Sequence, residues 1–425
     1  MDHASLWVDV KISADARIHG GKFTRNESID NSRLDAVARL DGIIVKQTED
    51  IQARMNMKIP MSSPDITQGD IDAVVEVLHT PFLSIGPKID AFEKAVAASV
   101  GCKYGIGVNS GTSGLHLAVI AAGVGAGDEV ITSSFSFIAS ANAILYERGV
   151  PVFVDIDPLT GNIDPAKLEA AITPRTKAIM PVHVFGQPAD MDAIMDIARR
   201  HNLAVIEDSC EAIGAEYKGR QAGTFGDAAV FAFYPNKQMT TGEGGLIVTN
   251  RDDWNTLFRS LRNQGRDVFD GWLNHTRLGY NYRLDEMSAA LGMTQFQRIQ
   301  ELLDNRARVA EWYNERIDEI VGIDKPHIVE TTTRMSWFVY VVRCGEGVER
   351  GKLIPYLQER GIPSRPYFTP IHLQPFYRDL GWKPGDLPIT EHAGDTFLAL
   401  PFSGVMSEEQ VDYVCQALQA FVRGE

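Results

Sequence analysis

Lys237 lies in Tyr234-Pro235-Asn236-Lys237-Gln238-Met239-Thr240-Thr241-Gly242-Glu243-Gly244-Gly245, directly after the apolar run 228–233. A strand that delivers one lysine into a turn-rich segment presents an amine able to attack a carbonyl. Upstream, Val205-Ile206-Glu207-Asp208 ends another apolar run on a carboxylate. Taken singly, a loop lysine is usually a solvated charge, and an aspartate after a strand usually caps the next helix. Together they are the two groups that pyridoxal phosphate (PLP) chemistry requires. The amine forms a Schiff base with the cofactor aldehyde, and the carboxylate keeps the pyridine nitrogen protonated so that the ring can accept electrons.

The elements that must position this pair follow from periodicity. Apolar runs at 104–108, 129–132, 150–154, 178–182 and 204–206 read as strands, and helical patterns at 69–78, 88–99, 112–122, 139–147, 165–171 and 190–201 separate them. Near-continuous apolar strands alternating with helices predict an α/β fold whose mostly parallel sheet is covered on both faces. Two further runs, 228–233 and 246–249, flank the lysine loop. A long helical tract over 285–316 leads to a smaller carboxy-terminal part with a strand at 337–342, a helix at 352–359 and a closing amphipathic helix at 407–422. With 425 residues, the chain exceeds one ordinary domain. The expected division is 1–57 as an amino-terminal extension, 58–305 as a large cofactor-binding domain and 306–425 as a small domain. The extension is polar, carries a helical pattern at 34–51 and is assigned no chemistry.

Asn109-Ser110-Gly111-Thr112-Ser113-Gly114 joins a strand to a helix. Backbone N–H groups at a helix start, with hydroxyls beside them, form an anion site suited to a phosphate. The chain as a whole is acidic, with 56 Asp plus Glu against 41 Lys plus Arg and a net charge of −15, which argues against a nucleic-acid or anionic-membrane binder. No stretch approaches the ~20 apolar residues of a membrane span. Met1-Asp2-His3-Ala4 opens without a basic and then apolar signal, and a cytoplasmic protein is expected. Cys102, Cys210, Cys344 and Cys415 lack metal-ligand spacing, so neither a disulfide framework nor a metal site is expected.

Glu207-Asp208-Ser209-Cys210-Glu211-Ala212-Ile213-Gly214-Ala215, then Gly223-Thr224-Phe225-Gly226-Asp227, then the Lys237 segment resemble the DegT/DnrJ/StrS-type sugar aminotransferases. These are PLP enzymes of the aspartate aminotransferase superfamily, fold type I. The resemblance runs from about residue 59 to the carboxy terminus. It implies transfer of an amino group from an amino acid, L-glutamate, to a keto-sugar, commonly nucleotide-linked, in amino-sugar and cell-surface polysaccharide biosynthesis, with the cofactor alternating between PLP and its amine form (PMP).

It further implies Lys237 and Asp208 as catalytic residues and Gly111, Thr112, Ser113, Phe137 and Glu211 as cofactor contacts. In Gly279-Tyr280-Asn281-Tyr282-Arg283, it implies that Asn281 reaches the phosphate of a second subunit, making a homodimer with shared active sites. On the sugar side it implies His183, Arg365, Tyr367 and His372. Two positions depart from the common pattern: Ala232 stands where a phosphate-binding serine is frequent, and Glu211 where glutamine is frequent. The competing readings are a PLP-dependent sugar dehydratase, against which the intact Lys237 counts, and a non-catalytic PLP-binding regulatory protein. A nicotinamide oxidoreductase is disfavoured because no GxGxxG follows the first strand.

Overall fold

The computed structural model describes residues 58–267 and 274–425. In chain order its strands are β1 (Tyr104–Val108), β2 (Glu129–Ser133), β3 (Val150–Val154), β4 (Thr176–Met180), β5 (Ala204–Asp208), β6 (Glu216–Tyr217), β7 (Arg220–Gln221), β8 (Ala228–Ala232) and β9 (Gly245–Thr249). Then come β10 (Ile323–Asp324), β11 (Thr332–Arg334), β12 (Tyr340–Cys344), β13 (Arg365–Pro366) and β14 (Phe397–Leu400). The main sheet has seven strands in the order β1-β9-β8-β5-β4-β2-β3. β9 runs antiparallel to both of its neighbours, and the other six share one direction.

Both faces of this sheet are covered, as its apolar strands require. Adjacent strand residues point to opposite sides. Val130, Ala228, Val230 and Ile247 pack with Leu115, Val119, Trp254 and Phe258. Their chain neighbours Ala229, Phe231, Leu246 and Val248 pack with Phe92 and Val96 on the other side, and Ile131 packs there with Ile194 and Ile197. A second, antiparallel sheet of order β10-β12-β14-β13 builds its own core against the helices Ile299–Ile317, Arg350–Glu359 and Glu408–Arg423. A small third sheet, β11-β6-β7, pairs the late strand β11 with β6 from between β5 and β8.

The expected elements of the main sheet are present, with ends shifted by a few residues. The tract 285–316 is two helices, Glu286–Gln297 and Ile299–Ile317, broken where Arg298 leaves helical geometry at ψ 10°. The strand expected at 337–342 begins only at Tyr340, because Trp337 sits in the left-handed region at φ 50°. The helical pattern at 34–51 lies outside the described residues. Among those described, no helix is long and apolar enough to cross a membrane, and no group of three or more His, Cys, Asp or Glu could hold a metal ion.

Candidate active site

β1, β2, β5 and β8 share one direction, and the residues following their carboxyl ends surround a cavity of about 500 Å³. This edge of a parallel sheet is where ligands bind in open α/β folds. After β8 the chain closes a loop by bonding Phe233 N–H to the Gly244 carbonyl at 3.0 Å and Thr241 N–H to the Phe233 carbonyl at 3.0 Å. Lys237, inside that loop, sends its amine into the cavity, where Nζ lies 3.5 Å from Glu211 Oε1 and 3.7 Å from the Phe338 ring centre. Asp208, the last residue of β5, is 5 % exposed and lines the same cavity. Its Oδ2 accepts the Ser140 hydroxyl at 2.6 Å and its Oδ1 accepts the Cys210 N–H at 3.2 Å, which fixes the carboxylate plane.

Glu211 is buried beside the lysine, and its Oε2 accepts the Phe185 N–H at 2.9 Å. Burial pushes its carboxyl above the ordinary range, with the Asp208 charge adding to the rise and the Lys237 amine opposing it. Glu211 is thus the carboxylate in ion-pair range of the amine, with Asp208 in the same cavity.

One wall of the cavity is the start of the helix Gly111–Ala121. Ser110 caps it, its Oγ accepting the Ser113 N–H at 3.1 Å. The N–H groups of Gly111 and Thr112 have no acceptor within the helix, and both residues line the cavity with Ser110. Gly111 is required here by packing: a Cβ would stand 2.7 Å from Ala232 Cβ and 2.9 Å from Cys210 Sγ. Helix and β8 therefore approach closely at the positions that carry the departure from serine to Ala232. Phe137, which follows β2, lines the cavity with a 62 % exposed ring, a surface free to stack on a flat ligand.

Not every residue implied for the site arrives there. Ser113 is buried and spends its hydroxyl on Asn109 Oδ1 at 2.7 Å, so it braces the turn and does not line the cavity. His183 is fully buried: Nδ1 accepts the Ala189 N–H at 3.1 Å, which leaves Nε2 to donate to Glu207 at 3.0 Å. His372 is likewise spent, between the Ser134 hydroxyl at 2.7 Å and Glu391 at 3.1 Å. Arg365 is exposed, donates to the Ser364 carbonyl at 3.0 Å and lies outside the cavity lining. Of the sugar-side residues, Tyr367 lines the cavity. Asn281 is exposed, forms a β-bridge with Asn263 and does not line the cavity of its own chain.

Sequence reasoning missed Ser140 and Phe338. Nothing marks a serine in a helix as the partner of a carboxylate 68 residues away, and Phe338 was hidden in a run that reads as a core strand.

The family model described as the DegT/DnrJ/EryC1/StrS aminotransferase family matches residues 64–419. The chain belongs to that family. It is 46% identical over 365 residues to a GDP-perosamine synthase of Caulobacter vibrioides, covering 85% of this chain and 97% of that one. Among solved structures, DesV of S. venezuelae in complex with a ketimine intermediate is 33% identical with a TM-score of 0.81, over 86% of this chain and 98% of that one. A Streptococcus pneumoniae protein assigned as a sugar aminotransferase, in its PLP form, is 28% identical with a TM-score of 0.83, over 87% and 99%. The same protein has been solved in its PMP form. The fold is therefore that of the type I PLP-dependent aminotransferases, and the cofactor is PLP. The donor set fits it: an amine, a buried carboxylate at the end of β5 for the ring nitrogen, a helix start suited to a phosphate and an exposed aromatic face.

Proposed function

We propose that this aminotransferase moves the amino group of L-glutamate onto a nucleotide-linked keto-sugar, feeding amino-sugar and polysaccharide synthesis. The observation that carries this reading is the convergence of Lys237 and Asp208 on one cavity, in a chain 46% identical to a GDP-perosamine synthase. That relative favours a GDP-linked acceptor.

When bound, PLP supplies an aldehyde for the lysine amine and a ring that accepts electrons. The chain's own residues do the rest. Lys237 would be the nucleophile toward that aldehyde and, when its amine is free, the group that holds and returns the proton moved during transfer. Asp208, fixed by Ser140, would hold the ring nitrogen, and Phe137 would cover the ring face. Gly111 and Thr112 would bind the phosphate. Glu211 stands beside the amine, and Tyr367 borders the sugar side.

Asn281, exposed and not lining its own cavity, completes the phosphate site of a second copy. A run of exposed apolar side chains, Ile71, Val75, Leu78, Phe82, Leu83 and Ile85, supports such a pairing, since these side chains would otherwise face water. Four unpaired cysteines suit the reducing cytoplasm.

The test is a spectrum of the PLP-loaded protein before and after L-glutamate, followed by keto-sugar nucleotides with GDP-linked ones first. Loss of the cofactor band with release of 2-oxoglutarate, then an amino-sugar product, is expected. A product that has lost a hydroxyl and gained no nitrogen would replace this reading by the dehydratase. Cofactor binding without any transfer would replace it by a regulatory protein.

A further inference from the structure

Arg306, on the helix Ile299–Ile317, is only 3 % exposed, and among the described residues no carboxylate lies within ion-pair distance of it. Burial without a compensating acid pulls its guanidinium down to about 10. Its acceptors are four backbone carbonyls. Nη2 donates to Lys237 at 2.6 Å and Asn236 at 3.2 Å, while Nη1 donates to Phe338 at 3.1 Å and Trp337 at 3.3 Å. One buried cation thus joins the lysine loop to the segment whose Phe338 ring lies under the lysine amine.

The far side of that segment is tied as well. Phe338 N–H donates to the Phe185 carbonyl at 3.1 Å, and Phe185 N–H donates to Glu211. Glu211 faces the Lys237 amine at 3.5 Å. The bonds form a closed circuit from the lysine backbone through Arg306, Phe338, Phe185 and Glu211 to the lysine side chain. Phe185 in this circuit at φ 59° and Trp337, whose carbonyl Arg306 also holds, at φ 50° occupy the left-handed region that side chains disfavour. Such conformations persist where the surroundings over-determine them.

We infer that Arg306 is a positioning residue that fixes the Lys237 backbone against Phe338, and so sets where the amine stands between the Phe338 ring and Glu211. This rests on the reading of Lys237 as the amine that captures the cofactor aldehyde. Arg306 touches neither cofactor nor substrate. Its four directed bonds replace what a loop carbonyl would otherwise find in water, and they do so on both walls of the cavity at once.

The test compares Arg306→Met and Arg306→Lys with the parent, at a temperature where thermal melts show each folded. The first readout is the rate at which PLP becomes fixed to Lys237 under borohydride, located by peptide mapping. The second is affinity for pyridoxamine phosphate, which has no aldehyde and needs no lysine. In Arg306→Met, fixation at Lys237 falls about tenfold or more while pyridoxamine phosphate affinity changes less than about threefold, because a small misplacement of a reacting group is costly. Arg306→Lys, which keeps a donor, is intermediate. If Arg306→Met does not fold, a selective fall in Arg306→Lys supports the inference, and unchanged fixation there overturns it. Equal losses of both readouts reduce Arg306 to a structural pillar and also overturn it. Fixation at another lysine in the parent would instead remove the reading of Lys237 itself.

Discussion

Asp208 depends on two donors from different parts of the chain, the Ser140 hydroxyl and the Cys210 N–H. Asp208→Asn should therefore leave the fold intact, since an amide can occupy the same plane, yet lose most transfer. Proton-transfer and ring-stabilising groups are commonly worth about 10²–10⁴-fold, and single-turnover rates with glutamate should fall within that range. A parental rate would show that Asp208 is not the ring's partner. Lys237 and Asp208 stood out in the sequence only as a pair, since each alone has a common structural use, and the structure brings both to one cavity. His183 and His372 were misread for a physical reason: residue type cannot reveal whether both ring nitrogens are already spent, and here they are. Glu211 carries a separate expectation. Its carboxyl is raised by burial in the folded state, so the folded protein binds more protons than the unfolded one from the ordinary carboxyl range up to that raised value. The stability it contributes is complete below the ordinary range and is lost as pH rises through the window. Melting temperatures of the cofactor-free protein should accordingly fall with rising pH relative to Glu211→Gln. Parallel curves would contradict the raised value.

Among the elements, the approach of the helix Gly111–Ala121 to β8 decides whether a phosphate site exists at all. Gly111→Ala would drive a methyl against Ala232 and Cys210. Forcing an extra methyl into a packed contact costs about 1–3 kcal/mol, so the variant should melt earlier and bind PLP phosphate more weakly than pyridoxal, measured by titration of each. An unchanged preference for the phosphorylated ligand would show that the helix start does not hold it. β1 to β5, β8 and β9 were readable because strands buried on both faces are almost wholly apolar. β10, β11 and β13 were not, since two or three residues carry no periodicity, and β13 holds the exposed Arg365 and Pro366. The Trp337 region misled in the other direction: its apolar residues suit a strand, but Trp337 takes a left-handed turn and Phe338 lines the cavity.

At the scale of the whole molecule, Asn281 is exposed and does not line its own cavity, and the proposed role at a second copy's phosphate predicts interdependence between copies. Lys237→Ala and Asn281→Ala proteins, each inactive alone, should regain activity when mixed, because one site of a hybrid pair keeps both residues. No recovery in hybrids verified by mass spectrometry would place Asn281 outside the phosphate site. The family model begins at residue 64, so a chain starting at Met57 should bind PLP as the full chain does, and its failure to do so in a cofactor titration would give the leader a role. Finally, β1 stands at the edge of the main sheet with β9 as its neighbour, and Tyr104 pairs with Thr249 across 144 intervening positions of sequence. During synthesis the early strand therefore waits, its edge unpaired, until the ribosome has released residue 249. The anion-binding turn, which hangs from β1, is then joined to the lysine strand in the same event that inserts β9 between them. Such long-range closure is slow, and an arrested or prematurely ended chain would expose an adhesive strand edge.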